Sequence, residues 1–334
     1  MAAWEQLRGL EVDVESFATE RREVAVSSEF KRVTTTVVLG GRGEQGRGED
    51  VTYNEEDHVW FPSLEPVGAT TLGEVSAGLE DMPLFQGEPK MAASRHYRRW
   101  AFESAALDLA LRQSGQSLGD AVGREYSPVR FVVSTREDPF PWLQHYPNLE
   151  LKLDPENAWD RPLLERLAAT GRVRVLDFKA YYKGTVVDTV PDPELYRAAL
   201  GLFADAVFED ASLEGESGEV LRGAESRLSF DAPIHSLDDL KALPVEPGWQ
   251  NIKPSRFGSL ARLFECIEYC EAGGIEMYGG GQFELGVGRH HIQVLASLFY
   301  ASNPNDVAPG EYNTGGPRSG LPESPLPAPE GVGF

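Results

Sequence analysis

The chain has 334 residues with 53 acidic and 31 basic side chains, a formal charge of −22, and 41% hydrophobic and 10% aromatic residues. This is globular composition, long enough for a large core arranged as two domains or as one barrel with an accessory piece. The negative balance disfavours nucleic acid and anionic membranes, and no stretch has the length of a signal peptide or a membrane span, so a soluble cytoplasmic protein is expected.

Residues 8 to 60 read as β-rich. "KRVTTTVVLGG" (31–41) and "EDVTYNEE" (49–56) have strand character, joined by the glycine-rich "GGRGEQGRGE" (40–49). Gly41, Gly43 and Gly46 within it match the spacing of a dinucleotide fingerprint. That motif needs a helix directly after it to receive the pyrophosphate, and a β-branched segment follows instead, so the glycines are read as a hairpin turn. Residues 70 to 125 change to helical spacing in "TTLGEVSAGLED" and "RRWAFESAALDLALRQSG", with "GQSL" as a stop and restart. A sheet followed by helices is an α+β unit.

From residue 129 the pattern alternates. Strand candidates are "VRFVVS", "LELKLD", "VRVLDFKA", "AVFEDAS", "LSFDAPI", "QNIKPS" and "IEMYGGG". The helical runs between them are "DRPLLERLAATG", "PELYRAALGLFAD", "SLDDLKAL" and "GSLARLFECIEYCEAGG". This order predicts an α/β fold with a parallel (β/α)7β TIM-like barrel rather than an open sheet. The two cysteines, Cys266 and Cys270, share one helix face and read as core residues. His290 and His291 open a further helix and read as capping or packing residues. The Pro/Gly-rich "GGPRSGLPESPLPAPEGVGF" reads as a tail wrapping back over the fold.

Chemistry in such a barrel gathers at the C-terminal ends of the strands, where Lys152, Asp177, Glu209, Asp231 and Lys253 follow one another. Asp177, Glu209 and Asp231 on neighbouring strands would repel in a partly buried site and call for a cation. An all-oxygen triad suits Mg²⁺ rather than zinc. A substrate carboxylate on that cation would have an acidified α-proton, and Lys152 and Lys253 on either side of the mouth could take or return it.

These residues bring in a family resemblance that covers nearly the whole chain. "QNIKPSRFGSL", "MYGGGQFELGVGRHHIQVLASL", "LKLDPENAWD" and "FESAALDLALRQSGQSLGDAVG" resemble segments of the enolase superfamily. Within it they are most similar to the muconate-lactonizing branch (mandelate racemase/muconate lactonizing enzyme), in its o-succinylbenzoate synthase and N-acylamino acid racemase group. The resemblance implies an α+β cap over residues 1–125, completed by the tail 306–334, and a barrel over 126–305. It implies a Mg²⁺-dependent lyase or isomerase that takes the α-proton of a small-molecule carboxylate through an enediolate. Lys152 and Lys253 would be the catalytic lysines and Asp177, Glu209 and Asp231 the metal ligands. Asn251, Gly280, Gly281 and Glu284 would line the substrate, and a homo-oligomer is compatible with the likeness.

Four positions depart from the group's pattern. Glu150 stands where a first lysine is usual and is expected to pair with Lys152 and raise its pKa. Lys179 replaces the asparagine of a D-x-N motif, and its ammonium could neutralise the carboxylates in place of Mg²⁺. Asp210 directly follows Glu209, and Ala232 replaces a glutamate after Asp231. The alternative reading is therefore a paralogue in which Lys179 fills the metal position, giving a metal-free enzyme or a non-catalytic binding protein. A β/α-barrel NAD(P)H reductase lacks a supporting motif. Substrate specificity is assigned to cap loops at residues 15–30 and 40–60.

Overall fold

The computed structural model describes residues 2–25, 31–64, 66, 68–185 and 187–334. Helix α1 (Ala3–Leu7) leads into β1 (Glu11–Val14), which pairs antiparallel with β5 (Gly68–Thr71). Between them β2 (Ser16–Ala25), β3 (Lys31–Gly41) and β4 (Glu44–Asp50) form an antiparallel sheet in that order. Helix α2 (Leu72–Glu80) starts at Thr71, whose side chain and that of Glu74 bond each other's backbone N–H groups in a capping box. The long α3 (Ser94–Ser114) lies across the sheet and stops at Gly115, whose left-handed backbone closes the last turn. Ser117 then caps α4 (Leu118–Val122), as the "GQSL" stop and restart predicts.

The second long strand differs from expectation. It runs over "EQGRGED" inside the glycine-rich stretch, and the end of the expected strand, Glu55 and Glu56, opens a single 3₁₀ turn over Glu55–His58. The hairpin turn is the Arg42-Gly43 pair, at φ of 51° and 80°, the left-handed geometry that matches strand twist. Gly46 and Gly48 are strand residues because α3 lies directly on them. A Cβ on Gly48 would stand 2.0 Å from the Ala101 carbonyl oxygen, and one on Gly46 2.2 Å from that of Ala105. Gly48→Ala is accordingly expected to lower the unfolding free energy by about 3 kcal/mol, at the upper end for overpacking, as measured by urea denaturation.

The barrel strands and helices follow in alternation. They are β6 (Val133–Thr135), α5 (Phe140–His145), β7 (Leu151–Leu153), α6 (Arg161–Ala169), β8 (Val173–Asp177), α7 (Pro193–Leu202) and β9 (Val207–Glu209). After them come α8 (Gly215–Leu221), β10 (Leu228–Ser229), α9 (Leu237–Lys241), β11 (Trp249–Ile252), α10 (Pro254–Phe257), α11 (Leu260–Gly273), β12 (Glu276–Gly279) and α12 (Val287–Phe299). Strands β6 to β10 make one parallel sheet in chain order, and β11 pairs parallel with β12. Asp160, Ser236 and Ser259 cap their helices with side-chain oxygens, which is why these helices begin where they do. Val175, Val207 and Tyr278, on three different strands, form a small apolar cluster with Trp249, while one large core runs through the rest of the molecule. Cys266 and Cys270 are buried in α11 as free thiols. Helices α5 and α8 carry no strong periodicity and are not foreseen from the sequence.

The C-terminal segment wraps back as expected. Val129 and Leu326 exchange backbone hydrogen bonds, and the Leu118 N–H donates to the Gly333 carbonyl. Phe334 packs its ring edge-on against Trp100 and stacks on His291 at 4.1 Å. Both His291 nitrogens are buried among apolar groups, and burial pushes its pKa down to about 3, so it is a neutral packing residue. Among the described residues no helix is long and apolar enough to cross a membrane.

Candidate active site

The site grows from the register of the parallel strands. Lys152 in β7 lies opposite Val175, and Asp177, two residues along β8, lies opposite Glu209 at the end of β9. Their side chains therefore reach one level. The Lys152 ammonium stands 2.6 Å from a Glu209 oxygen, 3.1 Å from Asp177 and 3.6 Å from Asp306. Lys152 is 1% exposed. Burial opposes its charge, but Glu209, Asp177 and Asp306 outweigh burial and hold its pKa well above the usual lysine value. Glu209 is fixed further by the Tyr278 hydroxyl, which donates at 2.6 Å, and by the Asn251 amide at 2.9 Å. Its pKa is raised by burial, with the neighbouring Asp177 adding to the rise.

A second knot surrounds Asp231. Its Oδ2 accepts from Lys253 at 2.6 Å, from the Tyr182 hydroxyl at 2.9 Å and from the Arg256 guanidinium at 3.1 Å. Arg256 Nε also stands 2.6 Å from Oδ1. Burial would raise the Asp231 pKa, but Arg256 and Lys253 overcome it and keep the carboxylate ionised.

Lys179 stands two residues past β8 and Asp210 directly follows β9, and both adopt left-handed backbone, at φ of 55° and 50°. That turn sends the Lys179 ammonium back onto the Asp177 carboxylate, with an Asp154 oxygen 3.9 Å away. Asp177 is held well below the carboxylate range: burial raises it, but Lys179 and then Lys152 overcome that. Asp210 points its carboxylate at the backbone N–H groups of Asp231, at 2.9 Å, and Ala232, at 3.1 Å, tying the ends of two strands together.

Two expectations are corrected. Glu150 does not pair with Lys152. It precedes the strand and is gripped by Arg130 at 2.6 Å and Arg174 at 2.7 Å, two arginines that satisfy it away from the lysine. Asp231 is not grouped with Asp177 and Glu209. The carboxylate oxygens that come within 4.8 Å of one another belong to Asp177, Glu209 and Asp210, because Lys253 and Arg256 draw Asp231 aside. By donor type and spacing, that buried all-oxygen group is compatible with a divalent cation such as Mg²⁺.

The other expected residues border this network. Gly280 leaves room for its neighbours: a Cβ there would stand 2.5 Å from Asn251 Oδ1 and 2.8 Å from Lys253 Cε. Gly281 does the same for Glu284, whose carboxylate turns back to the Gln282 N–H at 2.6 Å and to Arg289 at 3.2 Å. Glu284 therefore holds its own loop in shape.

Two side chains from the N-terminal sheet fix that loop, and sequence reading missed both. Fully buried Arg32 donates to the Val51 and Thr52 carbonyls on one side and the Gln282 and Phe283 carbonyls on the other. Glu49 accepts the N–H groups of Leu285, Gly286 and Gly288 at the start of α12. Neither carries a local motif, since only the fold brings residues some 250 positions apart together. Arg256 lies within "QNIKPSRFGSL", and the sequence alone does not distinguish it from its neighbours. Its place in the one-turn helix after Lys253 does. Of the loops assigned to specificity, residues 16–25 are β2, residues 26–30 lie outside the described residues, and Tyr53 reaches the barrel by donating to Gln282 at 3.0 Å.

Comparison with known proteins agrees with this architecture. An N-succinylamino acid racemase from Thermus thermophilus is 24% identical over 94% of this chain and 89% of its own length. An o-succinylbenzoate synthase from Enterococcus faecalis is 25% identical over 85% of this chain and 80% of its own. A solved enolase-superfamily member from Enterococcus faecalis V583 superposes with a TM-score of 0.65 at 19% identity, covering 90% of this chain and 85% of that one. Residues 5–121 match the profile described as the N-terminal domain of a domain of unknown function (DUF8230), and residues 125–314 match its C-terminal domain. The chain thus belongs to the DUF8230 family and carries both of its domains on the fold of the enolase superfamily.

Proposed function

We propose that the chain is a lyase-type enzyme that removes the proton α to the carboxylate of a small molecule, with a succinylated amino acid or a succinylbenzoate-type acid as the substrate class. The observation that carries this reading is the asymmetry between its two lysines, which pair with Glu209 from β7 and with Asp231 from just beyond β11. Among the described residues Lys152 is the ammonium paired with Glu209, and it bridges to Asp177, so losing its proton would leave buried Glu209 without a cation partner. Lys253 shares Asp231 with Arg256 and Tyr182. The Arg256 guanidinium keeps its own ion pair with Asp231, so Lys253 is the lysine this reading assigns to proton transfer at Nζ.

Lys152 remains a fixed ammonium facing the charge that develops on the substrate's carboxylate oxygens. Arg32 and Glu49 fix the backbone of the 282–288 loop beside the site. This reading takes residues 1–125 with 306–334 as the cap and 126–305 as the barrel. Asp177, Glu209 and Asp210 are the residues that would hold Mg²⁺, which when bound would stabilise enediolate oxygens as a Lewis acid. Proton NMR of N-succinylamino acids in D₂O with the purified chain tests the proposal. Loss of the α-proton signal is expected, and an unchanged signal across a panel of such acids and succinylbenzoate precursors would refute it.

A further inference from the structure

We propose that Lys179 is a resident cation of this site, and that its ammonium occupies the Asp177 carboxylate that a divalent ion held by Asp177, Glu209 and Asp210 would need. The inference concerns the same site as the proton-transfer reading, but it stands on separate observations.

The first is position. Lys179 Nζ lies on the Asp177 carboxylate, 3.9 Å from Asp154 and over the ring of Tyr182 at 5.1 Å, so it is enclosed by two carboxylates and an aromatic face. The second is charge. Without Lys179, Asp177 and Glu209 would share Lys152 while Asp154 would be left with Arg136 at 3.6 Å, so three buried carboxylates would face two cations.

The third is backbone. Lysine at φ 55° sits in the left-handed region that asparagine and glycine tolerate far better. The Lys179 N–H donates to Asp177 Oδ1 at 3.3 Å, and the Ala180 N–H donates to the Asp210 carbonyl, so the turn is tied at both sides. A long cationic side chain kept in a conformation that disfavours it, and aimed at the acidic group, is a backbone cost retained for what the ammonium does there.

The proposal requires that divalent ions compete with Lys179 for Asp177. Mn²⁺ is the probe, because it takes hard oxygen ligands and its EPR signal reports free ion directly. Titrations compare the wild-type chain, Lys179→Asn, Lys179→Met and, as a control, the exposed neighbour Lys183→Ala. Asparagine suits the backbone, and methionine keeps the side-chain length without its charge. Both variants at 179 are expected to bind one Mn²⁺ per chain roughly 100-fold more tightly than wild type or Lys183→Ala, since an ammonium at contact distance no longer repels the ion. Wild type binding Mn²⁺ as tightly as the variants at 179 would overturn the proposal, and so would variants that gain nothing. The titration uses no substrate, so its outcome is separate from that of the D₂O experiment.

Discussion

Lys253→Ala is expected to slow exchange of the substrate α-proton with solvent by roughly 10²–10⁴-fold, the usual contribution of a positioned acid–base group. The measurement is the rate of α-proton loss in D₂O at saturating substrate. The loss should fall on the rate constant with little change in apparent substrate affinity, because the lysine acts on the reacting proton. Folding should survive, since Arg256 and Tyr182 still satisfy Asp231 when Lys253 is gone. Near-wild-type exchange in a folded Lys253→Ala protein would remove Lys253 from the reaction.

Lys152→Met has the larger expected effect on stability, about 3–5 kcal/mol at neutral pH, because it leaves the buried Glu209 carboxylate without its ammonium partner. Urea denaturation measures the loss, and its pH dependence identifies the cause. Glu209 already has a raised pKa, and losing Lys152 raises it further. A carboxyl whose folded pKa lies above its unfolded value destabilises the fold at higher pH. That cost is relieved as pH falls through the raised value, so the gap between variant and wild type should narrow from pH 7 towards pH 5. In the wild-type chain the raised Lys152 pKa works in the opposite range. Its stabilisation is complete below the unfolded lysine value of about 10.4 and is lost as pH rises beyond it. A gap that stays constant across the acid range would mean that packing, not charge, sets the loss.

The sequence made the order of strands legible because β/α alternation leaves a period that survives without contacts. Lys152, Asp177, Glu209, Asp231 and Lys253 could be placed near one another because each stands within two residues of a strand's C-terminal end. What the pattern lacked was which partner each charge takes. Alternation put Glu150 and Lys152 on one face but was silent on Arg130 and Arg174, which come from other segments and claim Glu150 first. Spacing made Asp231 equivalent to Asp177 and Glu209, while the guanidinium of Arg256, three residues beyond Lys253, decides its allegiance. The glycine-rich stretch failed as a strand signal because its glycines serve contact with α3, and a helix 50 residues away leaves no local trace. Arg32 and Glu49 were invisible for the same reason.

The most direct test of the account is enantiomer-resolved exchange in D₂O, with the L and D forms of one N-succinylamino acid followed separately by proton NMR. Lys253, whose carboxylate partner is shared with Arg256, and Lys152, locked to Glu209 and Asp177, predict that one enantiomer exchanges its α-proton and the other does not. Exchange of both enantiomers at comparable rates would show that Lys152 also takes protons, and would contradict the assignment of a single base.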